Sequence, residues 1–135
     1  MRFVLDASVT MSWCFEDETT NESQRILKLF FQNEAIVPAI WPFEVGNAML
    51  TALRTKRLKA AEGAKFFALL ATFPIEVESC LLPEVAGRLM PLASQHGLSC
   101  YDAAYVELAL RERLPIATID RRVKQSARTL GLKCL

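Results

Sequence analysis

Four acidic residues stand where this chain could do chemistry. Asp6 follows the apolar run Phe3-Val4-Leu5, and Asp120 follows Ile116-Ala117-Thr118-Ile119. Short apolar runs stopped by a polar residue read as buried strands, so both aspartates sit at strand ends. Glu44 and Asp102 fall in the first turns of two segments with helical spacing, one opened by Trp41-Pro42 and one by Ser99. If those helices start at the same sheet edge, four carboxylates converge, and each raises the pKa of its neighbours. A divalent cation removes that cost. Mg²⁺ prefers oxygen ligands and is held by one or two carboxylates with several waters. Such ions activate water and stabilise the leaving oxygen of a phosphodiester. Asp6, Glu44, Asp102 and Asp120 are therefore the candidate catalytic and metal-binding acids. Ser8 and Thr118, each two residues from one of them, and Asn47, one turn beyond Glu44, are candidates to orient a carboxylate or a metal-bound water.

Each acid also fits an ordinary structural position. Asp6 and Asp120 suit helix N-caps, and Asp102 lies three residues after Ser99, as in a capping box. Glu44 suits the positive end of a helix dipole. Ser8 and Thr118 serve equally well as capping groups, and Asn47 as a surface polar group.

The elements that must position these residues alternate strand and helix. Strands are expected at 3–5, at 35–37 (stopped by Pro38), near 75–77 and at 116–119, with a last one over 132–135. Helices are expected over 7–15, 21–31, 42–57, 60–73, 83–96, 101–113 and 121–130, the last stopped by Gly131. Val45, Ala48, Met49, Ala52 and Leu53 make an inward stripe on the third of these. Buried strands alternating with helices predict an α/β fold, a central parallel sheet flanked by helices. Ligands of such a sheet sit beyond the carboxyl ends of its strands, where the four acids are found.

The 135 residues fit one domain spanning 1–135, and 52% hydrophobic residues supply a real core. No apolar stretch is long enough to span a bilayer, and the start of the chain lacks a secretion signal, so a cytoplasmic location is expected. The net charge of +1 hides alternating blocks. Residues 51–65 carry 5 basic and 1 acidic group, and residues 111–135 carry 7 and 2, while the segments between are acidic. Cationic surface beside an anionic site suits a polyanionic substrate, although solvated helix faces look the same in sequence. Cys14, Cys80, Cys100 and Cys134 form no C-x-x-C pair, and His96 is the single histidine. A zinc site, a disulfide framework and a Ser-His-Asp or Cys-His mechanism therefore have little support. A phospho-acceptor domain would carry a second acid where Ser8 stands, and no glycine-rich phosphate loop is present.

The segments Phe3-Val4-Leu5-Asp6-Ala7-Ser8-Val9, Pro38 to Ala48 around Glu44, Leu98 to Ala109 around Asp102, and Ala117-Thr118-Ile119-Asp120-Arg121-Arg122 together resemble the four acidic motifs of the PIN-domain family. The single-domain form is similar to the VapC-type toxins of bacterial toxin–antitoxin pairs. The resemblance covers nearly the whole chain. It implies a three-layer PIN-like domain and a Mg²⁺- or Mn²⁺-dependent endoribonuclease. By motif match Asp6 and Asp102 are the surest metal ligands, and Asp120 is the position where the family varies most. It also implies a homodimer and a neutralising antitoxin whose tail covers the active site. The aromatic surplus on the helices at 42–57 and 60–73 offers a dimer face, or belongs to the core. Arg54, Arg57, Arg121 and Arg122 are the candidate contacts to RNA phosphates. The alternatives are a non-catalytic PIN-fold interaction module and a stand-alone PIN nuclease without an antitoxin.

Overall fold

Four short runs lie side by side as parallel strands: β1 (Arg2–Leu5), β2 (Glu34–Val37), β3 (Ile75–Val77) and β4 (Ile116–Ala117). Their spatial order is β3-β2-β1-β4 in the computed structural model, which describes residues 1–135. Val4 pairs with Ile36 on one side and with Ile116 on the other. Phe3, Val4, Leu5, Ala35, Ile36 and Val37 are all buried. Central strands of a parallel sheet are covered on both faces, which is why these runs are apolar without alternation. The β3 edge is more open: Glu76 and Val77 are exposed, and the guanidinium of Arg2 pairs with Glu34 and Glu76 across the strand starts. A charged, three-residue edge strand is a poor template for pairing with another chain.

The strands are joined by helices α1 (Ala7–Ser12), α2 (Asn21–Leu29), α3 (Trp41–Arg54), α4 (Ala60–Leu70), a single turn α5 (Leu82–Glu84), α6 (Met90–His96), α7 (Cys100–Glu112) and α8 (Arg121–Thr129). Helix α7 is the centrepiece. Every residue from Ala103 to Ala109 is buried, as befits a helix packed against β1, β4, α6 and α8. Its carboxyl end is closed by Arg113 in the left-handed region (φ 56°). The apolar residues of strands and helices join one core, in which Tyr105, Phe3, Leu5, Ile26 and Met49 are the largest fully buried side chains.

The expected elements are present, with shorter bounds in several places. Ser12 ends α1, and Phe15 leads instead into a 3₁₀ turn over Glu16–Glu18. The expected helix over 83–96 is split by a π-helical turn at Val85–Leu89. Pro91 explains this: a proline lacks the N–H and crowds the carbonyl four residues earlier, and widening the preceding turn relieves both. The strand expected over 116–119 stops at Ala117, because Thr118 turns out of the ladder toward Asp6. The strand expected over 132–135 reduces to one parallel bridge between Ile116 and Cys134. On α3 the inward stripe is realised by Val45, Met49 and Ala52, with Ala48 and Leu53 half-buried at its margins.

Candidate active site

The strand order makes β1 the switch point. The chain leaves β1 toward β2 and β3 on one side and returns to place β4 on the other. At such a point the connections diverge and leave a crevice beyond the strand ends. Asp6 ends β1 there, held by its backbone N–H on the Ala117 carbonyl at 2.9 Å. Thr118 to Asp120 lie beside it, after β4. Helix α3 begins just past β2, and α7 begins at the same edge, so Glu44 and Asp102 are delivered in their first turns.

Asp6 is buried and tightly held. The hydroxyls of Ser8 and Thr118 both donate to its Oδ2, at 2.8 and 2.6 Å. Each hydroxyl is itself oriented: Ser8 Oγ accepts from the Ile119 N–H at 3.3 Å, and Thr118 Oγ1 from the Asp120 N–H at 3.1 Å. A second support lies behind, where Thr10 donates to the Asp6 carbonyl and accepts from the Trp41 indole N–H at 3.1 Å. That link fastens the start of α3 to α1. Despite its position before α1, the Asp6 side chain makes no capping bond. Half of the capping box expected at Ser99 forms: Ser99 accepts from the Asp102 N–H at 3.1 Å, and no reciprocal bond ties the Asp102 carboxylate back. Asp120 does cap its helix, accepting from the Val123 N–H at 3.0 Å. Glu44 accepts from the Tyr105 phenol at 2.6 Å.

The electrostatics show that the acids share one space. Burial raises the Asp6 carboxyl above its usual range, and Asp102 adds to the rise. Burial also raises Glu44, with Asp6 and Asp102 contributing. Asp102 is raised by burial and by Asp120, partly offset by Arg122. None of the ion pairs in the structure uses any of the four. Like charges gathered without a cation carry an unpaid electrostatic cost.

These donors fit a divalent cation of the oxygen-preferring kind. They are all carboxylates and hydroxyls, and they leave an excess of negative charge. No three His, Cys, Asp or Glu side chains close into a cage. An open array of this type matches Mg²⁺, which keeps several waters, better than a fully protein-ligated metal.

The other expected residues divide. Asn47 is exposed and makes no side-chain hydrogen bond to the acids. Arg121 and Arg122 are exposed beside Asp120, where a strand crossing the acids would pass. Arg54 is exposed at the far end of α3, ten residues or about 15 Å of helix from Glu44. Arg57 is engaged locally, pairing with Asp17 and Glu18 at 2.8 Å and lying over the Phe15 ring. The residue that sequence reasoning left out of the site is Tyr105. A buried tyrosine needs a partner for its hydroxyl, but nothing local names Glu44, 61 residues away, as that partner.

Residues 3–128 match the family model for the PIN domain. The chain belongs to the PIN-domain family. It is similar to Ribonuclease VapC3 of Pyrobaculum aerophilum, with 26% identity over 125 residues, covering 93% of this chain and 94% of that protein. The PIN fold is shared with the crystal structure of PAE2754 from Pyrobaculum aerophilum at a TM-score of 0.72 and 20% identity, covering 99% of this chain and 83% of the other. It is shared as well with VapBC2 from Rickettsia felis, solved bound to a DNA fragment from its promoter, at a TM-score of 0.67 and 16% identity, covering 100% and 98%. The sheet flanked by helices expected from the sequence is thus the PIN fold.

Proposed function

We propose that this PIN domain is a divalent-metal-dependent endoribonuclease and the toxin of a toxin–antitoxin pair, acting in the cytoplasm. The observation that carries the catalytic part is the set of four acids at the switch point, none of them in an ion pair, with Asp6, Glu44 and Asp102 raised by burial and by neighbouring carboxylates. The similarity to a protein named as a VapC ribonuclease supports RNA as the substrate, and the fold shared with VapBC2 supports an antitoxin partner.

In this reading Asp6, Glu44, Asp102 and Asp120 would hold Mg²⁺ or Mn²⁺, Asp120 while also capping α8. A divalent ion held there would supply Lewis-acid activation of water and charge neutralisation at the leaving oxygen. The chain's own part is positional. Ser8 and Thr118 fix the Asp6 carboxylate, the Thr10–Trp41 link fixes the start of α3, and Arg121 and Arg122 hold phosphates flanking the scissile bond. A homodimer is part of the proposal: Phe43 and Leu50, two turns apart on α3, remain exposed on one side of that helix, which suits an apolar contact with a second copy.

The interaction-module alternative finds support at Asp120 alone, whose side chain is a genuine cap. The deciding experiment is incubation of purified protein with structured RNA. Cleavage is expected in Mg²⁺ or Mn²⁺, with none in EDTA, and addition of the cognate antitoxin should suppress it. Cleavage undiminished by EDTA would overturn the proposal.

Salt dependence tests the arginines separately. Affinity for RNA should fall steeply with salt, and Arg121→Ala with Arg122→Ala should reduce the slope of log K against log salt by about 0.7 per lost single-strand phosphate contact. Arg57→Ala should leave the slope unchanged, because its guanidinium already serves Asp17 and Glu18. An unaltered slope in the double variant would return Arg121 and Arg122 to the solvated surface.

A further inference from the structure

We infer that Tyr105 is a positioning residue for the acidic centre, its phenol fixing the Glu44 carboxylate by a part-buried hydrogen bond between α7 and α3. This rests on the nuclease reading above and adds a residue to it. The side chain of Tyr105 is fully buried, and its hydroxyl donates to Glu44 Oε1 at 2.6 Å. Tyr105 also lies one turn after Asp102 on α7. The bond therefore joins the two helices that carry Glu44 and Asp102.

The chemistry of the contact is directional. A phenol has one proton, and here it is committed to Oε1. The carboxylate is thereby held in one rotamer, with Oε2 left for whatever the site binds. A tyrosine phenol is protonated at neutral pH, so it remains a donor. Partners that orient metal-binding groups in this way commonly matter 10- to 100-fold for metal affinity or activity.

Tyr105→Phe removes the oxygen and keeps the ring, so the core should stay filled. Melting in EDTA checks the fold. Relative to the parent, the variant should bind Mn²⁺ roughly 10-fold more weakly by calorimetry and lose about 10- to 100-fold in kcat, with KM for RNA unchanged. In a Glu44→Gln background the same substitution should change neither quantity further, because the phenol acts through that carboxylate. An equal loss in both backgrounds, or parental kcat and Mn²⁺ affinity in Tyr105→Phe, would overturn the inference. A second measurement needs no mutation. The chain has only two tyrosines, so 3-fluorotyrosine labelling gives two ¹⁹F signals, exposed Tyr101 and buried Tyr105. The buried signal should move with Mg²⁺ at the midpoint seen by calorimetry, and a stationary signal in protein that binds Mg²⁺ would overturn the inference. If the parent binds Mn²⁺ yet cuts no RNA, the nuclease reading falls while the metal titration still decides Tyr105. A parent that binds no metal overturns both.

Discussion

Asp6→Asn and Asp102→Asn are each expected to abolish RNA cleavage, by two orders of magnitude or more, without unfolding the protein. The size follows from what a bound divalent ion contributes. Losing even about 3 kcal/mol of transition-state stabilisation lowers a rate by roughly a hundredfold. The fold should survive for reasons visible in each contact. Asparagine at position 6 keeps a carbonyl oxygen to accept from Ser8 and Thr118, and no capping bond is lost because the Asp6 side chain makes none. At position 102 the contact to Ser99 runs through the backbone N–H, which substitution leaves intact. Asp120 is the informative contrast. Asp120→Ala should cost about 0.5–2 kcal/mol of stability through the lost cap, whereas Asp120→Asn should cost little, since asparagine caps as well as aspartate. Cleavage by Asp120→Asn then reports the chemical role of that carboxylate free of its structural one. Single-turnover kinetics together with thermal melts measure all of this. Parental rates in both Asp6→Asn and Asp102→Asn would place the chemistry elsewhere.

How far the sequence carried the reading varies residue by residue. The strands at β1 and β2 were legible because they are continuous apolar runs with polar stops, and the aspartate ending β1 followed from them. Ser8 and Thr118 were legible as neighbours of acids, yet their shared target was not. Thr118 lies two residues from Asp120 but gives its hydrogen bond to Asp6, 112 positions away. Such a choice is made by the β1–β4 pairing, which no local pattern encodes. The same limit hid Tyr105, whose partner is fixed by how α7 packs on α3. Charge runs say less about position for a related reason. Arg54 and Arg57 lie in the basic block at 51–65, but helix length carries Arg54 away from Glu44, and Asp17 and Glu18 engage Arg57. Composition places charge along the chain, while the path of α3 decides where it faces. The π turn at Val85–Leu89 was foreshadowed only by Pro91, since a proline within a helical pattern allows a stop, a kink or a widened turn.

The second large effect concerns stability, and its sign separates a metal site from a set of caps. In the metal-free protein Asp6, Glu44 and Asp102 are raised above their ordinary values of 3.8, 4.5 and 3.8. Below about pH 4 the folded and unfolded chains both hold these protons, and the raised groups cost nothing. As pH rises past the ordinary values, the unfolded chain releases its protons first, and the native state loses stability until the raised groups have also ionised. Mg²⁺ binds the ionised native site, so its stabilisation should grow across the same window and level off near neutrality. At ten times the dissociation constant that stabilisation is about 1.4 kcal/mol, or roughly 3–6 °C in melting temperature for a domain of this size. Asp6→Asn removes one buried charge. In EDTA at neutral pH it should melt above the parent, the two should converge toward pH 4, and Mg²⁺ should raise the variant much less than the parent. A capping role for Asp6 predicts the contrary pattern: asparagine would substitute without effect at every pH, with or without the ion. Scanning calorimetry of both proteins at pH 4 and pH 7, in EDTA and in millimolar Mg²⁺ or Mn²⁺, reads four values for each protein. A parent indifferent to both ions, paired with a variant that gains nothing in EDTA, would remove the metal from this site and the proposed nuclease with it.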